Sequence, residues 1–319
     1  MKKRGVEIIE EYVPVNGVDT YFLHFPEEKG TPVLLMLHGG PGESMATMGY
    51  YFKRHFGSMC TLVTYDQRGA GRTFLKNPGV KPELSVLLSD LHAVVALLKE
   101  RYGVSRVALL GQSWGSALGS VYALEHPEDL LCYIGVGQLV NGTKNEAEGA
   151  RVLKEKILAA GNQKDLAQFE AIGAYPVGEN APFDWEKIMQ MRRLQRKYGL
   201  AVRFNASFFK AFFSSPTLRL SDLTSMKKIF AFNAAMIEWV ITQFTLETYP
   251  RKYAVPVFYL LGERDYQTPV TLATAYFESI EAPYKKLTLL KNAGHFPELD
   301  NMADFTAALQ STLDTAVSL

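Results

Sequence analysis

Residues 107–117 read VALLGQSWGSA. An apolar run stops abruptly at Gly111-Gln112-Ser113-Trp114-Gly115, and small residues at helical spacing follow as far as Pro127. A short, wholly apolar run suits a strand buried on both faces. Gly-x-Ser-x-Gly between such a strand and a helix marks a sharp turn that lifts the serine hydroxyl to the sheet's edge. The glycines let the backbone crowd there without side-chain clashes. The free amides of the following helix N-terminus favour negative charge beside that hydroxyl. Ser113 is therefore the candidate nucleophile.

The same form recurs in PVLLMLHGGPG (32–42), CTLVTYDQRG (60–69), LLCYIGVG (130–137), VPVFYLLGERD (255–265) and KKLTLLKNAGH (285–295). Helical periodicity separates several of these runs. From Leu84 to Leu98 apolar residues return every three or four positions, and Gly103 follows as a stop. Near the start, VEIIEEYVPVNGVDTYFLHF alternates around Asn16-Gly17, a hairpin signal. Buried strands alternating with helices predict an α/β fold with a mostly parallel central sheet. Residues 140–250 break that rhythm with helical periods and no strand-like run, so they read as a helical cap inserted into a core made of 1–139 and 251–319. The cap is rich in aromatic residues, FNASFFKAFF at 204–213 above all. Its apolar faces suit a substrate pocket and self-association equally.

Bulk properties narrow the function. The 319 residues suffice for one large domain with an insertion, and the net charge of +1 gives no electrostatic reason to expect nucleic acid or an anionic membrane as partner. The densest basic stretch, MRRLQRK at 191–197, reads as a solvated helix face. No run approaches a membrane span, and the basic N-terminus lacks the apolar stretch of a signal peptide. Cys60 and Cys132 each sit inside an apolar run and read as small buried residues, which fits a reducing, cytoplasmic setting. The histidines lack metal-ligand spacing and no phosphate-binding glycine loop occurs, so neither metal nor cofactor is expected.

A serine nucleophile needs a base, and the base needs an orienting acid. Of the six histidines, His295 in KNAGHFPE follows the last strand on a glycine-hinged loop, at the same sheet edge as Ser113. His38, which begins HGGPG, reads as structural. Asp265 in LLGERDYQTP ends the preceding strand and is the acid the chain order favours, with Glu263 and Asp300 as rivals. The oxyanion of an acyl-transfer intermediate calls for two amide donors. Trp114, after the nucleophile, is one; Gly40 of HGGPG is the other, with Gly39 the close alternative.

His-Gly-Gly-Pro-Gly at 38–42, Asp-Gln-Arg-Gly-Ala-Gly-Arg at 66–72, Gly-Gln-Ser-Trp-Gly at 111–115 and the late Asp265 and His295 together resemble the α/β-hydrolase fold, and within it the proline iminopeptidase branch of serine peptidases. The resemblance covers everything but the cap, about two-thirds of the chain. It implies a cofactor-free Ser-His-Asp hydrolase releasing N-terminal proline or another apolar residue from short peptides, with Asp66 and Arg68 as loop scaffolding. In that family cap glutamates hold the substrate's free amine. Glu186, in Trp185-Glu186, is the position matching one of them, whereas Asn205 stands where the second acid is sought; Glu238 and Glu247 lie further on. An esterase or amidase for small apolar acyl groups is the alternative, and a non-catalytic binding protein on this scaffold is the competitor from another class. Epoxide hydrolases and dehalogenases carry aspartate at the nucleophile position, and Ser113 argues against both.

Overall fold

The computed structural model describes residues 6–175 and 183–319. Eight strands form one sheet: β1 (Ile9–Val15), β2 (Val18–Phe25), β3 (Val33–Leu37), β4 (Thr61–Tyr65), β5 (Val107–Gln112), β6 (Leu130–Val136), β7 (Val257–Gly262) and β8 (Lys285–Leu290). Their spatial order is β1-β2-β4-β3-β5-β6-β7-β8. β3 through β8 run parallel, while the β1–β2 hairpin is antiparallel and joins the sheet through β2 against β4. Asn16 and Gly17, with φ of 45° and 78°, make the hairpin turn from the left-handed backbone region that Asn-Gly tolerates.

The apolar strand runs are explained by packing on both faces. In β5, Leu109 joins a layer with Leu91, Val94, Val121 and Phe277, while its neighbour Leu110 joins Phe52, Phe56, Leu309 and Leu313 on the other side. Helices Leu84–Tyr102, Trp114–Glu125 and Val270–Ser279 supply the first layer; Gly49–Phe56 and Met302–Ser318 supply the second. Gly103 closes the first of these helices in the left-handed region, its amide donating to Glu100 O and that of Val104 to Lys99 O. β8 departs from the expectation of two buried faces. It lies at the sheet's edge with Lys285, Lys286 and Leu289 exposed, and edge lysines discourage further strand pairing.

Between β6 and β7 the described residues form seven helices: Gly142–Ala159, Gln163–Ile172, Trp185–Lys197, Ala206–Phe213, Leu220–Thr224, Met226–Phe232 and Ala234–Thr242. Asn141, Asn162, Asp184 and Asn205 cap the first four, each side chain accepting an amide of the first turn. The segment has a small core of its own around Leu153, Ile157, Ile172, Met191 and Leu194. Its two ends meet at a narrow neck. Asn141 pairs antiparallel with Thr245, the Gly142 amide donates to Phe244 O at 3.0 Å, and the Leu246 amide donates to Val140 O at 2.7 Å.

Candidate active site

β5 ends at Gln112, and Ser113 turns the chain into the helix Trp114–Glu125 with φ 53° and ψ −120°. The flanking glycines are there for space. A Cβ on Gly111 would lie 2.3 Å from Gly115 O, and one on Gly115 would lie 2.5 Å from Leu37 O. The strain of positive φ at a non-glycine residue is held by the packed strand and helix on either side. β7 and β8 bring the partners. His295 Nε2 stands 2.9 Å from Ser113 Oγ, and His295 Nδ1 stands 2.9 Å from Asp265 Oδ2.

Asp265 is buried and well supplied with donors. Its Oδ1 accepts the Gln267 and Thr268 amides, each at 3.0 Å, and its Oδ2 accepts the Thr268 hydroxyl at 2.8 Å. An acceptor carboxylate at Nδ1 keeps the imidazole proton there and leaves Nε2 free to take the serine proton. The rival acids are employed elsewhere. Glu263 accepts the Asn292 amide at 2.7 Å and is exposed; Asp300 accepts the Gly294 amide at 2.8 Å and so fixes the loop carrying His295.

Gly40, Ser113 and Trp114 share the wall of one cavity. The Trp114 amide opens its helix and has no partner within it. Gly40 has φ 111°, and a Cβ there would lie 2.6 Å from the Gly42 nitrogen, so this loop position requires glycine. Gly39 sits behind the wall, against Gln112, Glu43 and Ser113. One residue of the DQRGAGR motif ties these parts together beyond Asp66 and Arg68. The Gln67 amide donates to His38 Nε2 at 2.9 Å, its side-chain nitrogen donates to His38 O at 3.2 Å, and its Oε1 accepts Trp114 Nε1 at 3.0 Å. Burial pulls the His38 imidazole down to about 4, so it stays neutral with Nδ1 donating to Gly39 O. Asp66 accepts Ser44 Oγ and the Arg72 amide, and Arg68 forks onto Asp90 at 2.8 and 2.9 Å.

The cavity holds about 640 Å³. Its walls are mostly aliphatic, sulfur-bearing and aromatic; Phe208 and Phe212 reach it from one face of the helix Ala206–Phe213, and Phe204, just before that helix, joins them. Arg192 and Arg196 also line it, which corrects the reading of 191–197 as a solvated face. Arg192 is largely buried because it is bonded to Glu146, the same carboxylate that accepts the Tyr175 hydroxyl. Glu186 and Glu238, sought as amine-binding acids, are exposed and do not line the cavity. Glu186 occupies the first turn of its helix, whose neighbours Trp185, Ile188 and Met189 reach the cavity instead; beside Glu238 it is Ile237, Val240 and Ile241 that do. Asn205 caps its helix, and Glu247 braces the neck through Asn141 and Lys144.

Cys60 and Cys132 are buried and unpaired, and burial lifts both thiols to about 12. Away from the cavity wall the fold gathers His92, His126 and Asp129, with liganding atoms within 4.8 Å of one another, a grouping that sequence spacing concealed. Asp129 already accepts Lys99 Nζ at 2.6 Å and Tyr122 Oη at 2.8 Å.

A family model described as the alpha/beta hydrolase family matches residues 34–309. The chain belongs to the alpha/beta hydrolase family. Among relatives of this hydrolase, a probable aminopeptidase of Bacillus subtilis is 22% identical over 97% of the chain and 94% of its own length. A proline iminopeptidase of Lactobacillus helveticus is 25% identical over 97% of the chain and 99% of its own. Among solved structures, a proline iminopeptidase-related protein of Thermus thermophilus superposes with a TM-score of 0.66 at 20% identity, covering 98% of this chain and 99% of its own. No helix among the described residues is long and apolar enough to cross a membrane.

Proposed function

We propose that this hydrolase transfers an acyl group to water through Ser113 and releases an apolar N-terminal residue from short peptides. Ser113 Oγ attacks the carbonyl as His295 Nε2 takes its proton, and Asp265 stabilises the resulting imidazolium. The Gly40 and Trp114 amides hold the oxyanion. His295 then protonates the leaving amine, and water, activated by the same imidazole, hydrolyses the acyl-enzyme. The helical segment acts as the cap that encloses the acyl group. One observation carries this reading: the hydrogen-bonded line Ser113–His295–Asp265 opens on an apolar cavity at the C-terminal edge of the sheet. Relatives named aminopeptidase and proline iminopeptidase over nearly the whole chain support the choice of substrate class.

The cavity favours a second reading. At about 640 Å³ it is of the size that buries a drug-sized ligand, more than one prolyl ring needs, and it suits an esterase for bulky apolar acyl groups. The test is turnover of a prolyl or alanyl anilide with a free amine, of its N-acetylated form, and of a nitrophenyl ester, each with the Ser113→Ala variant as control. Rapid cleavage of the free-amine anilide alone is expected. Ester cleavage with no preference for a free amine establishes the esterase, and activity undiminished in Ser113→Ala on every substrate removes both readings. The expected loss in that variant is on the order of 10⁴- to 10⁶-fold.

A further inference from the structure

Among the described residues, three carboxylates line the cavity: Glu43, Glu146 and Asp222. Two are matched by guanidinium groups. Glu146 is held by Arg192. Asp222 accepts Arg72 Nε at 3.0 Å and Nη2 at 2.7 Å, and Arg72 is itself buried. Neither acid has charge left over for a ligand's cation. Glu43 differs: it forms no hydrogen bond or ion pair among the described residues, and its titratable neighbours include the His295 imidazole and the Glu298 carboxyl.

The position of Glu43 is as telling as its lack of a partner. It follows the glycine loop directly, and the space facing the Cα of Gly39 is bounded by three groups. A Cβ built there would lie 2.8 Å from Glu43 Oε2, 2.6 Å from Gln112 Oε1 and 3.2 Å from Ser113 Cβ. Gln112 is fully buried, and its Oε1 is without a hydrogen-bond partner. Gln112 lies behind the cavity wall with Gly39, so of these two acceptors Glu43 alone stands on the wall beside the nucleophile. A half-buried carboxylate left unmatched in a largely apolar cavity costs free energy, so Glu43 calls for a donor from a ligand. Burial, acting against the neighbouring imidazole, holds the Glu43 carboxyl above its usual range.

We propose that Glu43 anchors the α-ammonium group of the substrate and thereby selects peptides with a free N-terminus. The proposal rests on the aminopeptidase reading above and moves amine recognition from the helical segment to the loop after β3. In the substrate the α-ammonium is two bonds from the scissile carbonyl carbon, so its anchor must stand next to Ser113, as Glu43 does. The anchor also penalises blocked substrates. An uncompensated carboxylate beside Ser113 opposes the developing oxyanion, and only a substrate bearing its own positive charge removes that opposition.

The experiment compares kcat/KM for alanyl anilide and N-acetyl-alanyl anilide in the wild type, Glu43→Gln and Glu43→Asp, with thermal melts of all three. A hydrogen bond to a charged group contributes about 1.5–3 kcal/mol, so the free-to-blocked ratio is expected to fall roughly 10- to 100-fold in Glu43→Gln, mainly through KM. Glu43→Asp, which keeps the charge, is expected to recover part of the ratio. Alanine amide, used as a competitive inhibitor, is expected to lose affinity for Glu43→Gln by a similar factor. A wild type that prefers the free amine and keeps its full ratio in Glu43→Gln overturns the anchor while leaving the aminopeptidase reading standing. An equal loss on both substrates also overturns it, because Glu43 would then act through the triad. A wild type with no preference at all removes both.

Discussion

In the sheet, every residue of β3, β4, β5 and β7 is buried, and neighbours alternate between two apolar layers. In the helical segment, side chains of opposite character share a single helix: Ile188 and Met191 pack beside an arginine held by an acid 46 positions earlier in the chain. The two regions are specified differently. In the core the constraint is steric and local, set by glycines where backbones touch and by uninterrupted apolar runs. In the segment, buried charges find each other across long sequence separations, and each pair stands only while both members are present.

The largest expected effect in breaking this contrast comes from halving a charge pair. Arg192→Met leaves Glu146 buried without its cation and is expected to destabilise the protein by about 3 kcal/mol or more, whereas adding Glu146→Met recovers most of that loss. Denaturant unfolding of the two single variants and the double variant measures it; additive losses would show that the pair is not coupled. Next comes the steric device of the core. Gly111→Ala forces a methyl group against Gly115 O and is expected to cost about 1–3 kcal/mol together with activity, because the turn carrying Ser113 must shift. Retained turnover with an unchanged melting temperature would contradict the close-contact account.

The smallest effect sharpens the contrast from the core's side. Glu298, three residues beyond His295, is fully buried with both carboxyl oxygens unpartnered. Burial foremost, then the nearby carboxylates of Asp300, Asp265 and Glu43, lift it to about 8. In the unfolded chain a glutamate titrates near 4.3. Between these values the folded state holds a proton that the unfolded state has lost, so stability falls as pH rises, with a slope of at most about 1.4 kcal/mol per pH unit, and the fall ends above about pH 8. Glu298→Gln is expected to flatten that slope and to be more stable than the wild type at pH 8. Unfolding midpoints from pH 5 to 9 measure it, and parallel profiles would exclude Glu298 as the cause.

The same division governs what the sequence reveals. Ser113, Asp265, His295, Gly40 and Trp114 are readable because each sits at the end of a strand or in a loop whose spacing from that strand is fixed by local chemistry. The helical character of 140–250 is readable from the period of its longer stretches, such as EGARVLKEKILAAG and DWEKIMQMRRLQRKYG. Which face of a helix meets the cavity is not: Glu186 and Glu238 look available along the sequence, yet their neighbours turn inward and they turn out. Arg192 looks solvated among basic residues because its partner, Glu146, lies on another helix. Arg72 and Asp222, 150 residues apart, carry no local mark of their meeting. Glu43 had a signal, an acid placed directly after HGGPG, but its importance depends on the absence of a partner, and only the assembled fold discloses that.

The neck formed by Asn141 and Thr245 gives the molecule a modular character. About a hundred residues leave the sheet and return to it through positions already joined by backbone hydrogen bonds, so the geometry that β6 and β7 require is set at the neck and not by what lies beyond it. Since the entropy of closing a loop grows only slowly with its length, a shorter or unrelated segment can be spliced between these two residues without asking the sheet to rearrange. The helical segment and the sheet are therefore separable by inheritance: one frame can be refitted with a different roof, and the neck marks where such an exchange would be cut.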